Sequence, residues 1–142
     1  MEPKSLLFSV SLMFSGIADP LNVSFLPTNE VVSNICRKLT ACNSNLGWDV
    51  CADGLKTRPD IDTEVGFPNG TFATFADAIK ADLNHQVRTF DYEFNECLQG
   101  LSKLKCDDPK VMSAYDPNAI DAFGSVTAMF SPICADMFYY EP

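Results

Sequence analysis

Histidine is nearly absent from this chain: His85 is the only one among 142 residues. That removes most of the material for a Ser/His/Asp arrangement, and no GxSxG turn stands in for it. Positive charge is also scarce, with 10 Lys+Arg against 19 Asp+Glu and a formal charge of −9. A nucleic-acid binder needs a basic stripe to replace phosphate counterions, and here the densest basic places are only Arg37-Lys38 and Lys103/Lys105. The longest apolar stretch, near the N-terminus, is too short to cross a bilayer as a helix. Internal repeats and low-complexity tracts are missing as well. What is present is 46% hydrophobic residues, enough to bury a core, and six cysteines, enough to staple it.

The six are Cys36, Cys42, Cys51, Cys97, Cys106 and Cys134. An even count in a short acidic chain reads as three disulfides formed in an oxidising compartment. Zinc fits poorly, because the gaps of 5, 8, 45, 8 and 27 residues contain no CxxC and the chain has one histidine. The missing CxxC also removes a thioredoxin-like redox pair. Fifteen pairings of six cysteines exist, and position suggests one of them. Cys42 and Cys51 flank the turn signal Asn43-Ser44-Asn45-Leu46-Gly47, which suits a local clasp. Cys36 and Cys97 lie inside apolar helical stripes, suiting a helix-to-helix bond, which leaves Cys106 for Cys134.

Residues 1–18 admit two readings. Lys4, the apolar run to Phe14 and Gly16-Ile17-Ala18 have the layout of a secretory signal. Yet Leu6, Phe8, Val10, Leu12 and Phe14 alternate with a serine-rich face, which is the period of a strand. Such an arm either covers its own domain or is donated to a neighbour. The sequons at Asn22 and Asn69 agree with export where the host glycosylates.

Residues 19–142 read as a mainly α domain, a small bundle of four to five short helices held by three disulfides. Val23 to Leu26 is an extended candidate. Thr28-Asn29 caps a helix through Val31, Val32, Ile35, Cys36 and Leu39 to about Cys42. Trp48 to Leu55 gives one or two more helical turns, and 57–70 reads as a loop. Phe72, Phe75, Ala76, Ile79, Leu83 and Val87 mark a helix capped at Thr71. Phe90, Phe94, Cys97, Leu98, Leu101 and Leu104 mark the next, with lysines in its last turn to suit the helix dipole. Asp108-Pro109 and Asp116-Pro117 open two short helices, the second with Ile120, Phe123, Val126, Ala128 and Phe130 on its apolar face. Cys134 to Tyr140 is an apolar tail.

Candidate chemistry is thin. Asp60, Asp62 and Glu64 alternate in the loop, but an EF-hand would want Gly and Glu where Val65 and Thr71 stand, so a solvated acidic loop is the better reading. Asp91, Glu93 and Glu96 resemble the wet face of a helix more than a hydrolytic acid pair. His85 is placed near the surface at a helix end, beside Asp82. The eleven Phe and five Met build a core or, in a functional reading, line a cavity for a hydrophobic ligand. Insect odorant-binding proteins are excluded, because their second and third cysteines lie three residues apart on one helix and this chain has no such pair.

The runs Ile35-Cys36-Arg37-Lys38-Leu39-Thr40-Ala41-Cys42 and Trp48-Asp49-Val50-Cys51 resemble the opening of cysteine-rich exported proteins and lipoproteins of myxobacteria and their relatives. Asn95-Glu96-Cys97-Leu98 after Tyr92, Leu104-Lys105-Cys106, and Ser131-Pro132-Ile133-Cys134 are similar to their later cysteine segments. The resemblance implies an extracytoplasmic helical module, without catalytic residues to carry over. It does not imply a lipid anchor, because the chain has no lipobox cysteine near its N-terminus. The expectation is therefore a non-catalytic exported protein without a cofactor, metal site, nucleic-acid partner or membrane span. It would work through contacts with a protein partner or with copies of itself, the N-terminal strand serving as the assembly element. The alternative is a carrier for a small hydrophobic ligand.

Overall fold

A computed structural model describes residues 23, 25–114, 126–130 and 132–142. Among them run six helices: α1 (Pro27–Cys42), α2 (Trp48–Lys56), α3 (Asp62–Val65), α4 (Phe75–Leu83), α5 (Asp91–Lys103) and α6 (Pro109–Ala114). Strands β1 (Val87–Thr89) and β2 (Phe138–Tyr140) pair antiparallel, with Arg88 opposite Tyr139, and a 3-10 turn spans Val126–Met129. The domain is mainly helical and carries three disulfides, as the periodicity and cysteine count imply. The candidate strand at 6–14, the signal-like segment 1–18 and the Asn22 sequon lie outside the described residues.

Helix α1 forms because Val31, Val32, Ile35, Cys36 and Leu39 recur on one face, and all five are buried. Its start lies slightly before the expected cap. Pro27, with no N–H to satisfy, occupies the first position, and Thr28 lies inside the first turn. The N-cap is Leu26, which has no side-chain acceptor to offer. Asp82, at the far end of α4, supplies one instead. Its Oδ2 accepts the Thr28 N–H at 3.1 Å and the Thr28 hydroxyl at 2.7 Å, and both residues are buried. A carboxylate from another helix thus caps α1 and fixes α4 against it. Of the expected extended segment Val23 to Leu26, Ser24 lies outside the described residues, and the Leu26 N–H donates to the Val23 carbonyl.

Helix α4 is shorter than its apolar spacing predicts. It begins at Phe75, not near Thr71, because Thr74 starts it: the Thr74 N–H donates to Asp77 Oδ2 at 3.3 Å, one half of a capping box. Thr71 belongs to a separate turn closed onto Pro68. The helix ends at Leu83, where His85 takes a left-handed backbone (φ 62) and the Gln86 N–H donates back to Ala81. Val87 therefore leaves the helical stripe and enters β1. Helix α5 starts one residue after Phe90. Lys103 stands in its last turn as expected, and Lys38 of α1 adds hydrogen bonds there, its Nζ reaching Ser102 O (3.0 Å) and Leu104 O (2.6 Å). Helix α6 begins at Pro109 as expected, with Asp108 Oδ1 accepting the Lys110 N–H.

The loop 57–70 hides a turn of helix, α3, closed by Gly66 at φ +113. A Cβ there would lie 2.6 Å from the Phe138 carbonyl oxygen, so only glycine lets this turn approach β2. Residues 115–125, which hold the start of the expected Asp116-Pro117 helix, are outside the described residues, and its end is the 3-10 turn at Val126–Met129. The apolar tail ends as β2, whose pairing with β1 is flanked by the Phe90 N–H donating to the Met137 carbonyl and the Glu141 N–H donating to the Gln86 carbonyl.

All six cysteines are paired, but none of the three expected pairs is formed. The bonds are Cys36–Cys51, Cys42–Cys106 and Cys97–Cys134. Helical rotation explains the first correction. Cys42 lies six positions after Cys36, which at 3.6 per turn points them about 120° apart around α1. Cys36 faces α2, which folds back along α1, and reaches Cys51. Cys42, at the helix end, is turned toward the connection after α5 and reaches Cys106. That leaves Cys97 to hold the C-terminal segment through Cys134, and both are fully buried.

The aromatic core is centred on residues that helical spacing passes over. Phe67 packs edge-on to Phe72 (5.0 Å) and stacks on Phe138 (5.8 Å). Phe75 and Phe130 are buried as expected, and Phe72 and Phe94 pack half-buried against the core. Phe90, expected inside, is 42% exposed, because the helix starts after it.

Candidate functional site

Two surface features stand out among the described residues. The first is a groove between α1 and α5, about 290 Å³ in volume, whose lining includes Asn34, Arg37, Lys38, Ser102 and both residues of the Cys42–Cys106 bond. Cys106 is exposed and Cys42 half-buried, whereas the other four cysteines are wholly buried. The fold brings together here the two densest basic places of the chain. Arg37 and Lys38 lie within six residues of Cys42, and Lys103 and Lys105 lie within three of Cys106. Lys38 is held by the α5 carbonyls, while Arg37 is exposed and its Nη1 donates to Asn34 Oδ1 at 3.2 Å. Both basic places are legible in the sequence; their meeting depends on a disulfide that the sequence does not reveal.

The second feature is aromatic. Arg88 and Tyr139 stand opposite each other across the two-stranded sheet, Phe90 follows Arg88 on the same side, and Tyr92 lies in the first turn of α5. Tyr92 is 72% exposed and Tyr139 53%. Arg88 reaches Glu141 at 3.4 Å across the sheet. Finding this patch from sequence requires knowing that the C-terminal tail pairs with residues 87–89.

The acidic loop is absorbed by structure. Arg58 grips both carboxylate oxygens of Asp60, at 2.8 and 2.6 Å, and this hydrogen-bonded contact holds the Asp60 carboxyl below its usual range. Asp62 is buried and accepts the Phe72 N–H at 2.9 Å. Its burial pushes its carboxyl upward, the hydrogen bond opposes that, and the nearby charge of Asp77 adds to it. Among the described residues no three His, Cys, Asp or Glu side chains come together as a metal cluster would require. Asp91 and Glu96 are exposed along α5, and Glu93 is half-buried. His85 is exposed beyond the end of α4, its N–H donating to the Asp82 carbonyl, where the sequence places it.

Of the Phe residues weighed for a ligand cavity, none lines the groove at Cys42–Cys106. Asn69 is exposed on a turn from Pro68 to Thr71, with Gly70 at φ +80 in the third position that a type II turn reserves for glycine. Among the described residues no helix is long and apolar enough to cross a membrane. No protein-family model matches the chain, and neither a curated protein nor a solved structure matches it.

Proposed function

We propose that the chain is an exported, disulfide-stapled, non-catalytic domain that acts through protein–protein contacts. The observation that carries this reading is the exposure of three aromatic side chains, Tyr139 opposite Arg88 in the two-stranded sheet and Phe90 and Tyr92 just after β1. Tyrosine and arginine are enriched among the side chains that anchor interfaces, tyrosine because it buries large area while losing few rotamers and arginine because its planar fork makes several hydrogen bonds at once. In a domain with a filled Phe core, these rings are left outside at one end of the sheet. Export is supported by the use of every cysteine in a disulfide, a state that reducing compartments do not sustain. A non-catalytic role is supported by the work already assigned to three carboxylates: Asp60 binds Arg58, Asp62 holds the turn at Phe72, and Asp82 caps α1.

A photo-crosslinking amino acid at position 92 tests the contact face, with the same residue at exposed Ser113 as control. In the fluid into which the protein is exported, irradiation is expected to give a discrete adduct from position 92 and none from position 113. Equal labelling from the two positions, or none from 92, refutes this contact face.

A further inference from the structure

The three disulfides divide the labour in a way that singles one out. Cys36–Cys51 joins α1 to α2, and Cys97–Cys134 joins α5 to the C-terminal segment. Only Cys42–Cys106, closing 64 residues of sequence, links these two units to each other. It is also the only one of the three with an exposed sulfur-bearing residue, and it opens into the groove lined by Arg37 and Lys38. Attack on a disulfide requires a thiolate to approach one sulfur, so access decides which bond is reached first. Positive charge around that sulfur draws an anionic thiol in and eases departure of the leaving thiolate. On a chain of net charge −9, the groove at this bond is lined by two cations, Arg37 and Lys38, and Lys103 and Lys105 lie within three residues of Cys106, as do Asp107 and Asp108.

We propose that Cys42–Cys106 is a thiol-exchange site that takes small carboxylate-bearing thiols. The thiolate attacks Cys106 Sγ, the bond to Cys42 breaks, and Cys42 leaves as a thiolate that takes a proton from water. Cys106 is then held as a mixed disulfide with the small thiol. A second thiol attacks that bond, freeing Cys106 and leaving the two small thiols joined as their own disulfide. The protein gains two electrons, and the two units lose their covalent cross-link while keeping the packing of α1 on α4 and α5 and the Lys38 hydrogen bonds to Ser102 O and Leu104 O.

Glutathione is the probe. Native full-length protein is exposed to a limiting amount, quenched with an alkylating agent and digested without further reduction. Mixed disulfide and alkyl adducts are expected on Cys106 and Cys42 ahead of the four buried cysteines by about tenfold or more. Adducts that appear evenly over all six, or first on Cys36, Cys51, Cys97 or Cys134, overturn the proposal. A second measurement tests the charge argument on the variant Arg37→Glu/Lys105→Glu, whose altered side chains are exposed. The rate with glutathione relative to uncharged 2-mercaptoethanol should fall about threefold or more. An unchanged ratio overturns the preference for anionic thiols.

Discussion

Replacing Asp82 tests the packing of the helical body most sharply, because one carboxylate serves two elements. In Asp82→Ala, the Thr28 N–H and hydroxyl both lose their acceptor while Thr28 stays fully buried. A buried donor left without a partner costs about 1–3 kcal/mol, and a lost helix cap costs about 1 kcal/mol, two descriptions that overlap here. The expected loss is about 2–3 kcal/mol, measured by urea unfolding with the disulfides intact. Asp82→Asn keeps an acceptor and should lose about 1 kcal/mol, the difference between a charged and a neutral partner. Thr28→Val removes the hydroxyl alone and should lose about 1 kcal/mol. Combining Thr28→Val with Asp82→Ala should then cost less than the sum of the two by about 1 kcal/mol, because the shared bond is removed only once. A loss under about 0.5 kcal/mol for Asp82→Ala, or strict additivity in the pair, would refute the assignment of Asp82 as the cap of α1.

Three further predictions concern other parts of the molecule. Gly66→Ala places a Cβ 2.6 Å from the Phe138 carbonyl on a left-handed backbone, and should destabilise by about 2 kcal/mol or more in the same unfolding assay; a neutral effect would mean that α3 does not pack against β2 as described. Asp60 and Asp62 act in opposite directions with pH. The lowered Asp60 group contributes stability above the ordinary carboxylate range that disappears as pH falls through its depressed value, whereas the raised Asp62 group carries a cost that is present at neutral pH and vanishes in acid. Asp62→Asn should therefore compare more favourably with the parent at pH 7 than at pH 3, and a gap independent of pH would contradict the burial argument. When the chain is secreted from a glycosylating host, Asn69 on its exposed turn should carry a glycan, seen as a mass shift that Asn69→Gln abolishes; an unmodified Asn69 would count against it.

The helices were legible wherever one face carries the signal. Val31, Ile35 and Leu39 announce α1, and Pro109 after Asp108 announces the start of α6. Their ends were less so, because tertiary partners decide them. Nothing local in the sequence says that Asp82 will cap α1, that Lys38 will serve the carbonyls of α5, or that Val87 will leave its helical stripe to pair with Tyr140. The disulfides show the same division. Their number follows from counting, but the pairing depends on how far α1 rotates between Cys36 and Cys42 and on where the α5–α6 connection lies. Both candidate surfaces inherit this limit. That Lys38 reaches the end of α5 beside Cys106, and that Tyr139 pairs opposite Arg88, depends on contacts between segments far apart in sequence. Phe67 and Phe138 escaped notice as core residues because one lies in a loop and the other in a strand, so neither obeys a helical period.

Peptide mapping of the native protein, alkylated on isolation and digested without reduction, tests the central claim most directly. An exported domain stapled as described yields three linked pairs, Cys36–Cys51, Cys42–Cys106 and Cys97–Cys134, with any free thiol confined to the exposed Cys42–Cys106 bond. Alkylated Cys36, Cys51, Cys97 or Cys134, or a different set of pairs, would contradict both the staple and the oxidising compartment inferred from it.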